Sequence, residues 1–253
     1  MGEHVARPTP TKKKRSNIFW NIVGVLGELL ITFAFVIGLF SVWQLYWTTY
    51  QVAGQVEQTI ASYEEEHQPS KRTQGEIRTD DPPAFDREVA DGEVYGIVHV
   101  PTWDWMKIPL AEGTTSYVLD QGWAGHYDMT TQPGGVGNFS VAGHRRTYGN
   151  NFRWIDRLTQ GDKVVVEVDD RYLVYSMVSS EIIDATDPTQ MRVVAPVIDD
   201  VSWSETPTER WMTMTTCHPE YGNWQRYIVH LKFESWTPKD TGVPAELVDE
   251  PTN

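Results

Sequence analysis

The sequence predicts a mainly β domain, either a closed antiparallel barrel or a β-sandwich, preceded by one N-terminal membrane helix. From Asp91 onward, short runs of β-branched and aromatic residues alternate with turn residues, and helical patterns are few. Frequent short strands of this kind are typical of all-β barrels and sandwiches. The membrane helix is indicated by a long apolar stretch that ends at Trp47.

The apolar stretch predicts a transmembrane anchor over residues 18–47. Its central part, from Leu29 to Trp47, comprises nineteen residues without a charge. At about 1.5 Å per residue in a helix, this length nearly spans a hydrocarbon core of about 30 Å. A cleaved signal peptide is the alternative, but the apolar run is too long for one and lacks a small-x-small cleavage site.

Charge is distributed unevenly around this anchor. Residues 1–17 carry a net charge of +4, whereas the chain from Trp47 onward carries −17. By the positive-inside rule, residues 1–17 are predicted to form a cytoplasmic basic tail. The chain is therefore predicted to be a single-pass plasma-membrane protein whose folded domain lies outside the cytoplasm.

The acidic balance and the single cysteine narrow the class of protein further. A domain of net charge −17 is repelled by phosphate backbones, so nucleic acid is not an expected partner. Cys217 is the only cysteine in the chain. No intrachain disulfide can form, and stability outside the cell must come from a hydrophobic core.

The segments that flank the folded domain are polar. Residues 48–90 are predicted to be an extracytoplasmic stalk or linker, in which 51–66 extend the membrane helix and 68–90 are flexible. The folded domain is predicted over residues 91–236. Residues 237–253 are polar and acidic, and they are predicted to form a flexible C-terminal tail.

Runs of strand-forming residues give the elements of the folded domain. The turn pair Asp169-Asp170 joins two of these runs into a predicted hairpin, and Ile155–Leu158 predicts a short helix. The predicted strands are Tyr95–Val100, Asn138–Ala142, Lys163–Val168, Arg171–Val178, Met212–Thr216 and Gln225–Phe233.

Three of these strands end or begin at residues suited to nucleophilic catalysis. Cys217 ends the run T-M-T-T-C, Arg226 opens the next strand nine residues later, and His144 ends a strand 73 positions before the cysteine. A thiol can attack a carbonyl, an imidazole can take and return the proton, and a guanidinium can stabilise an oxyanion. The pattern predicts Cys217, His144 and Arg226 as a catalytic set.

Each of these residues also has an ordinary structural explanation. A lone cysteine is often a small buried hydrophobe, and most arginines are solvated surface residues. Arg145 and Arg146 compete with Arg226 for the cationic role. His218 competes with His144, although a residue adjacent to Cys217 in an extended strand points to the opposite face.

These motifs, in this order on a membrane-anchored chain, resemble those of the sortases, the cysteine transpeptidases of the Gram-positive cell surface. The sequences around His144, A-G-H-R-x-T-Y-G, and around Cys217, T-T-C-H-P, look most like those of the class E sortases of actinobacteria. The resemblance covers roughly Asp91 to Trp236 and narrows the fold to an eight-stranded closed β-barrel. It also implies a substrate-lining role for Thr216, and Tyr148 is a second candidate for the groove.

The resemblance implies a membrane-anchored transpeptidase that cleaves a C-terminal LPXTG-type sorting signal between Thr and Gly, and the class E likeness suggests LAXTG. The implied partners are secreted proteins that carry this signal and the amine of a lipid II-type peptidoglycan precursor. No organic cofactor is expected, because thiol, imidazole and guanidinium supply the chemistry. No run matches a calcium loop and no His/Cys spacing fits zinc, so no metal is expected.

Two other classes of function remain open at this stage. An L,D-transpeptidase also combines Cys, His and Arg outside the cytoplasm, but its signature resembles S-H-G-C-x-R, which the spacing of Cys217 and Arg226 does not match. A non-enzymatic surface-binding module would need no ordered thiol. The sequence leaves a pilin-polymerising role open as well.

Overall fold

The computed structural model describes residues 18–251, and the chain divides into two compact units with their boundary between Trp43 and Gln44. The boundary lies within a long helix, α1, Ile18–Glu66. This helix is long and apolar enough to cross a membrane, by length and composition. It continues to Glu66, in agreement with the predicted extension over 51–66. The predicted basic tail, residues 1–17, lies outside the described residues.

The unit from Gln44 onward contains, within the described residues, a closed barrel of eight strands, which confirms the predicted fold class. Around the barrel the order is β1-β2-β3-β4-β7-β8-β6-β5, and β5 pairs back onto β1. The pairs β2–β3 and β4–β7 are parallel, and the other pairs are antiparallel. The strands are β1 Val94–Val100, β2 Met106–Glu112, β3 Ala124–His126, β4 Gly137–Ala142, β5 Lys163–Val168, β6 Arg171–Asp184, β7 Arg210–His218 and β8 Gln225–Pro238.

Short helical segments lie in the connections between strands. Helix α2 spans Ser116–Leu119, between β2 and β3. The short helix predicted over 155–158 is present as a 3₁₀ turn, Ile155–Arg157. Other 3₁₀ turns of the described chain span Pro101–Trp103, Pro188–Val194 and Ala245–Leu247.

Side-chain alternation along the strands separates the barrel interior from its outer face. In β7, Met212 and Met214 are fully buried in the main hydrophobic core. Because successive strand residues point to opposite faces, Thr215 and Cys217 project from the outside of the barrel. The outer end of β7 is therefore available to form a site that does not disturb the core.

Both segments predicted to be flexible pack against the barrel instead. In the stalk, Arg78 is bridged to Trp236 by two backbone hydrogen bonds of 2.9 Å, and Phe85 packs against the core. In the tail, Val243 and Leu247 are buried in a cluster with β5 and β6. Polar composition suggested solvated chain, but a few apolar side chains in each segment find buried positions on the barrel surface.

A buried network of charges also holds the C-terminal segment in place. His99 lies between Glu167 and Glu250, with nitrogen–oxygen distances of 2.7 and 2.8 Å. Lys107 contacts both Glu250 and Glu64. The network, here termed the charged clasp, joins α1, β1, β2, β5 and the C-terminal segment through Glu64, His99, Lys107, Glu167, Lys239 and Glu250.

Candidate active site

The parallel pairing of β4 with β7 brings the chain at His144 level with Cys217. Just beyond the last pair of strand residues, the Gly143 N–H donates to the carbonyl of Thr215 over 3.1 Å. The hydroxyl of Thr216 donates to the carbonyl of Gly143 over 2.6 Å. His144 therefore leaves β4 at the level at which Cys217 approaches the end of β7.

The antiparallel pairing of β7 with β8 brings in the arginine. Cys217 and Arg226 are directly opposite each other in the register. Directly opposed residues place their side chains on the same face of a sheet, which here is the outer face. Cys217 is a free, half-buried thiol, and Arg226 is half-buried as well. The three predicted residues thus meet at one end of β4, β7 and β8.

The ring of His144 is oriented by a carboxylate that the sequence did not reveal. His144 Nε2 lies 2.8 Å from Asp120 Oδ1, at the end of α2. An ionised carboxylate only accepts hydrogen bonds, so Nε2 carries the proton in this contact. In the neutral ring the lone pair is therefore on Nδ1, and that nitrogen is the one able to accept a proton. The ring of Tyr148 lies 5.3 Å from that of His144.

His218 has the opposite arrangement. Arg145 Nη1 donates to His218 Nδ1 over 2.8 Å, and Arg145 Nη2 donates to Asp156 over 2.9 Å. Burial and then the positive charge of Arg145 lower the pKa of His218, so the ring is neutral and carries its proton on Nε2. Its lone pair is occupied by Arg145. Arg145 is therefore not free to take the cationic role proposed for Arg226, and His218 is not free to take the role of His144.

Arg226 differs from Arg145 in its partners. Its Nη1 donates to the backbone carbonyls of Asn223 and Gln225, over 2.7 and 2.9 Å. No carboxylate within residues 18–251 forms an ion pair with it. These carbonyls hold the side chain without neutralising it, so its remaining N–H groups are available to an anionic or carbonyl oxygen.

The two residues predicted to line the substrate groove have different positions. Thr216 is buried, and its hydroxyl donates to the carbonyl of Gly143, so it supports the end of β4. Tyr148 is half-buried beside His144. Thr215 occupies the outer position instead, and its hydroxyl lies 2.9 Å from that of Tyr127.

Tyr127 is a further residue of this site that sequence reasoning missed. Burial raises the pKa of its hydroxyl; the bond to Thr215 and the charge of Arg226 oppose this shift, and Cys217 adds to it. Tyr127 and Arg226 line a pocket of about 400 Å³ beneath the β6–β7 connection. Its apolar wall is formed by Ile183, Met191, Val193, Val194 and Ile228.

The family model described as "Sortase domain" matches residues 98–234. The chain belongs to the sortase family. Sortases are cysteine transpeptidases, and the family assignment does not favour the L,D-transpeptidase or binding-module alternatives.

Individual relatives agree with the likeness to class E sortases. The chain is 34% identical to Sortase SrtE1 of Streptomyces coelicolor over 88% of its own length, and it spans 60% of the length of that relative. Among solved structures, the SrtA sortase from Actinomyces oris is 42% identical, with a TM-score of 0.64 over 70% of this chain and 99% of that one. Sortase E1 from Streptomyces coelicolor, solved with a tripeptide in the active site, is 38% identical, with a TM-score of 0.55 over 63% and 99%.

Proposed function

We propose that this sortase is a membrane-anchored transpeptidase that cleaves a C-terminal LPXTG- or LAXTG-type sorting signal between Thr and Gly. It then transfers the acyl product to the amine of a lipid II-type peptidoglycan precursor. The observation that supports this most strongly is the meeting of His144, Cys217 and Arg226 at one end of β4, β7 and β8. The tripeptide in the active site of the related Sortase E1 structure supports a peptide as the occupant.

In the first half of the reaction, His144 takes the proton of Cys217 at Nδ1 and the thiolate attacks the carbonyl carbon of the substrate threonine. The oxygen of that carbonyl becomes negatively charged, and the free N–H groups of Arg226 donate hydrogen bonds to it. When the C–N bond breaks, the protonated His144 returns its proton to the leaving glycine amine. The product is a thioester between Cys217 and the threonine carbonyl carbon.

In the second half, the acceptor amine attacks the thioester carbonyl. The amine gives up one proton to His144, the bond between carbon and the Cys217 sulfur breaks, and His144 returns that proton to the thiolate, which restores the starting enzyme. Asp120 stabilises the positive ring of His144 in both halves, because its carboxylate accepts from Nε2. Within this scheme Thr216 and Tyr148 act by supporting and flanking the catalytic set.

The location that fits this reaction is the outer side of the plasma membrane. Residues 18–47 serve as the anchor, residues 1–17 remain in the cytoplasm, and residues 91–236 form the catalytic domain. The +4 charge before the anchor and the −17 balance from Trp47 onward support this orientation.

The test is cleavage of fluorogenic LAXTG and LPXTG peptides by the full chain in detergent, with and without an added amine. We expect cleavage of the sorting-signal peptide, transfer of the acyl product to the amine when it is present, and a preference for LAXTG over LPXTG. Cys217→Ala should lose both activities while the near-ultraviolet circular dichroism stays unchanged, because only the nucleophile is removed. Activity retained by Cys217→Ala would contradict the proposed function.

A further inference from the structure

Two unneutralised arginines flank a tryptophan on the loop that begins at His144. Arg153 and Arg157 are exposed, and their guanidinium carbons lie 6.0 and 4.8 Å from the centre of the Trp154 ring. Stacking of this kind holds a guanidinium in place while its N–H edge remains free. We refer to Arg153, Trp154 and Arg157 as the arginine–tryptophan patch.

The patch is tied to the active site through a short series of contacts. The Phe152 N–H donates to the carbonyl of His144 over 3.0 Å, which closes the loop back on its start. Asp156, within the patch sequence, accepts from Arg145, and Arg145 in turn donates to His218 beside Cys217. The patch therefore lies on the side of the catalytic residues where the loop of His144 meets the end of β7.

The two arginines of the patch belong, with Arg72 and Arg226, to the four arginines of residues 18–251 that form no ion pair with a carboxylate. Seven of the eleven arginines among residues 18–251 form ion pairs with carboxylates. Arg153 and Arg157 do not, within that part of the chain. Residues 144–157 contain four arginines and one aspartate, in a chain that carries −17 from Trp47 onward. A cationic surface on the loop of His144, in an otherwise acidic protein, favours an anionic partner.

We propose that the arginine–tryptophan patch binds a carboxylate of the acceptor, so that the enzyme prefers amine acceptors bearing an anionic group a few residues from the amine. This inference rests on the proposed function and concerns its second half. The acceptor amine must approach the thioester on the side where His144 takes its proton, and the patch lies on the His144 loop. The flat guanidinium edge pairs with both oxygens of a carboxylate, which makes this anion a better fit than a spherical one.

The experiment compares acceptor peptides that differ by a single side chain. Gly-Gly-Glu-amide and Gly-Gly-Gly-Glu-amide are compared with the same peptides in which Gln or phosphoserine replaces Glu. In extended form these peptides place the variable residue up to roughly 10–14 Å from the amine. Transfer from a sorting-signal peptide is measured with the full chain in detergent. The variant is Arg153→Gln/Arg157→Gln. The control is Lys71→Gln/Arg72→Gln, which removes two exposed positive charges elsewhere.

For the unmodified protein, we expect an acceptor KM roughly 3- to 10-fold lower for Glu than for Gln peptides, as two exposed ion pairs would give. Added salt should reduce this ratio of the KM for the Gln peptide to the KM for the Glu peptide. The patch variant should bring it close to one, the control variant should keep it, and hydrolysis of the donor peptide without acceptor should be equal in all three proteins. A larger preference for phosphoserine than for Glu would overturn the assignment of a carboxylate.

Other results would overturn the proposal altogether. A KM ratio near one in the unmodified protein, or a ratio unchanged in the patch variant, would show that the patch does not bind the carboxylate of the acceptor. If the patch variant lost binding to vesicles of anionic phospholipid while its KM ratio stayed the same as that of the unmodified protein, the patch would be assigned to the membrane surface instead. If the unmodified protein cleaved no sorting-signal peptide, the proposed function itself would fail; cleavage without acceptor selectivity would refute only this inference.

Discussion

Glu250→Gln tests whether the C-terminal segment is an integral part of the fold. Burial acts to lower the pKa of His99, but the hydrogen bonds that its ring donates to Glu167 and Glu250 outweigh burial and raise the pKa to about 9 from 6.5. At about 1.36 kcal/mol per unit, this net shift corresponds to about 3 kcal/mol of stability after the opposing cost of burial. Glu250 also pairs with Lys107. We expect Glu250→Gln to lower the free energy of unfolding by about 2 kcal/mol at pH 6.5, which is of the same order as the stability that follows from the shift of His99.

The assay is thermal unfolding of the full chain in detergent, followed by near-ultraviolet circular dichroism. A loss of about 2 kcal/mol in a unit of this size lowers Tm by roughly 4–8 °C. Asp249→Asn is the matched control, because it removes the same charge from the neighbouring, exposed position. We expect it to change Tm by about 1 °C or less, as is usual for exposed residues.

The pH dependence of this difference follows from the direction of the shift. A histidine whose pKa is raised on folding contributes its full stability below about pH 6.5, and loses the contribution as the pH rises through about 9. The Tm difference between the unmodified protein and Glu250→Gln should therefore be largest near pH 6.5 and smaller at pH 9.5. Equal Tm values for Glu250→Gln and Asp249→Asn, or a difference that grows with pH, would refute the assigned role of the clasp.

Three further predictions concern the site and the location of the chain. Arg226→Lys should lower kcat/KM by about 10²–10³, because lysine lacks the planar set of donors; activity within a few-fold of normal would assign the role to another group. Asp120→Asn should lower kcat by roughly 10-fold or more with little change in KM, and Asp120→Glu should restore part of it; an equal loss in both would indicate a purely structural role. Protease added to intact protoplasts should remove the domain after residue 47, whereas protection until lysis would reverse the proposed orientation.

Much of the barrel could be predicted because its strands are locally encoded. All six predicted strands are present, including the hairpin at Asp169-Asp170, where Val168 pairs with Arg171. The two strands that were missed have weak local signals. β2 contains Pro109, a residue depleted in paired strands, and β3 is only three residues long. Their pairing depends on neighbouring strands rather than on their own composition.

The proximity of His144, Cys217 and Arg226 could be predicted because these residues stand at strand ends, whereas the groups that contact them come from distant parts of the chain. Asp120 precedes His144 by 24 positions and follows a four-residue helix with no pattern that links the two. Tyr127 reaches Thr215 across 88 positions. Such contacts follow from the closure of the barrel, so no local sequence signal reports them.

The barrel order also separates the charged clasp from the proposed catalytic residues. The barrel residues of the charged clasp lie on β1, β2 and β5, whereas the proposed catalytic residues stand at the ends of β4, β7 and β8. Strands β3 and β6 lie between the two groups in the closed sheet. Groups that share no partners contribute nearly independently to the free energy of unfolding. The clasp can therefore hold the C-terminal segment without fixing the geometry around Cys217, and a change in Glu250 should act on stability while the kinetics of the folded enzyme stay the same.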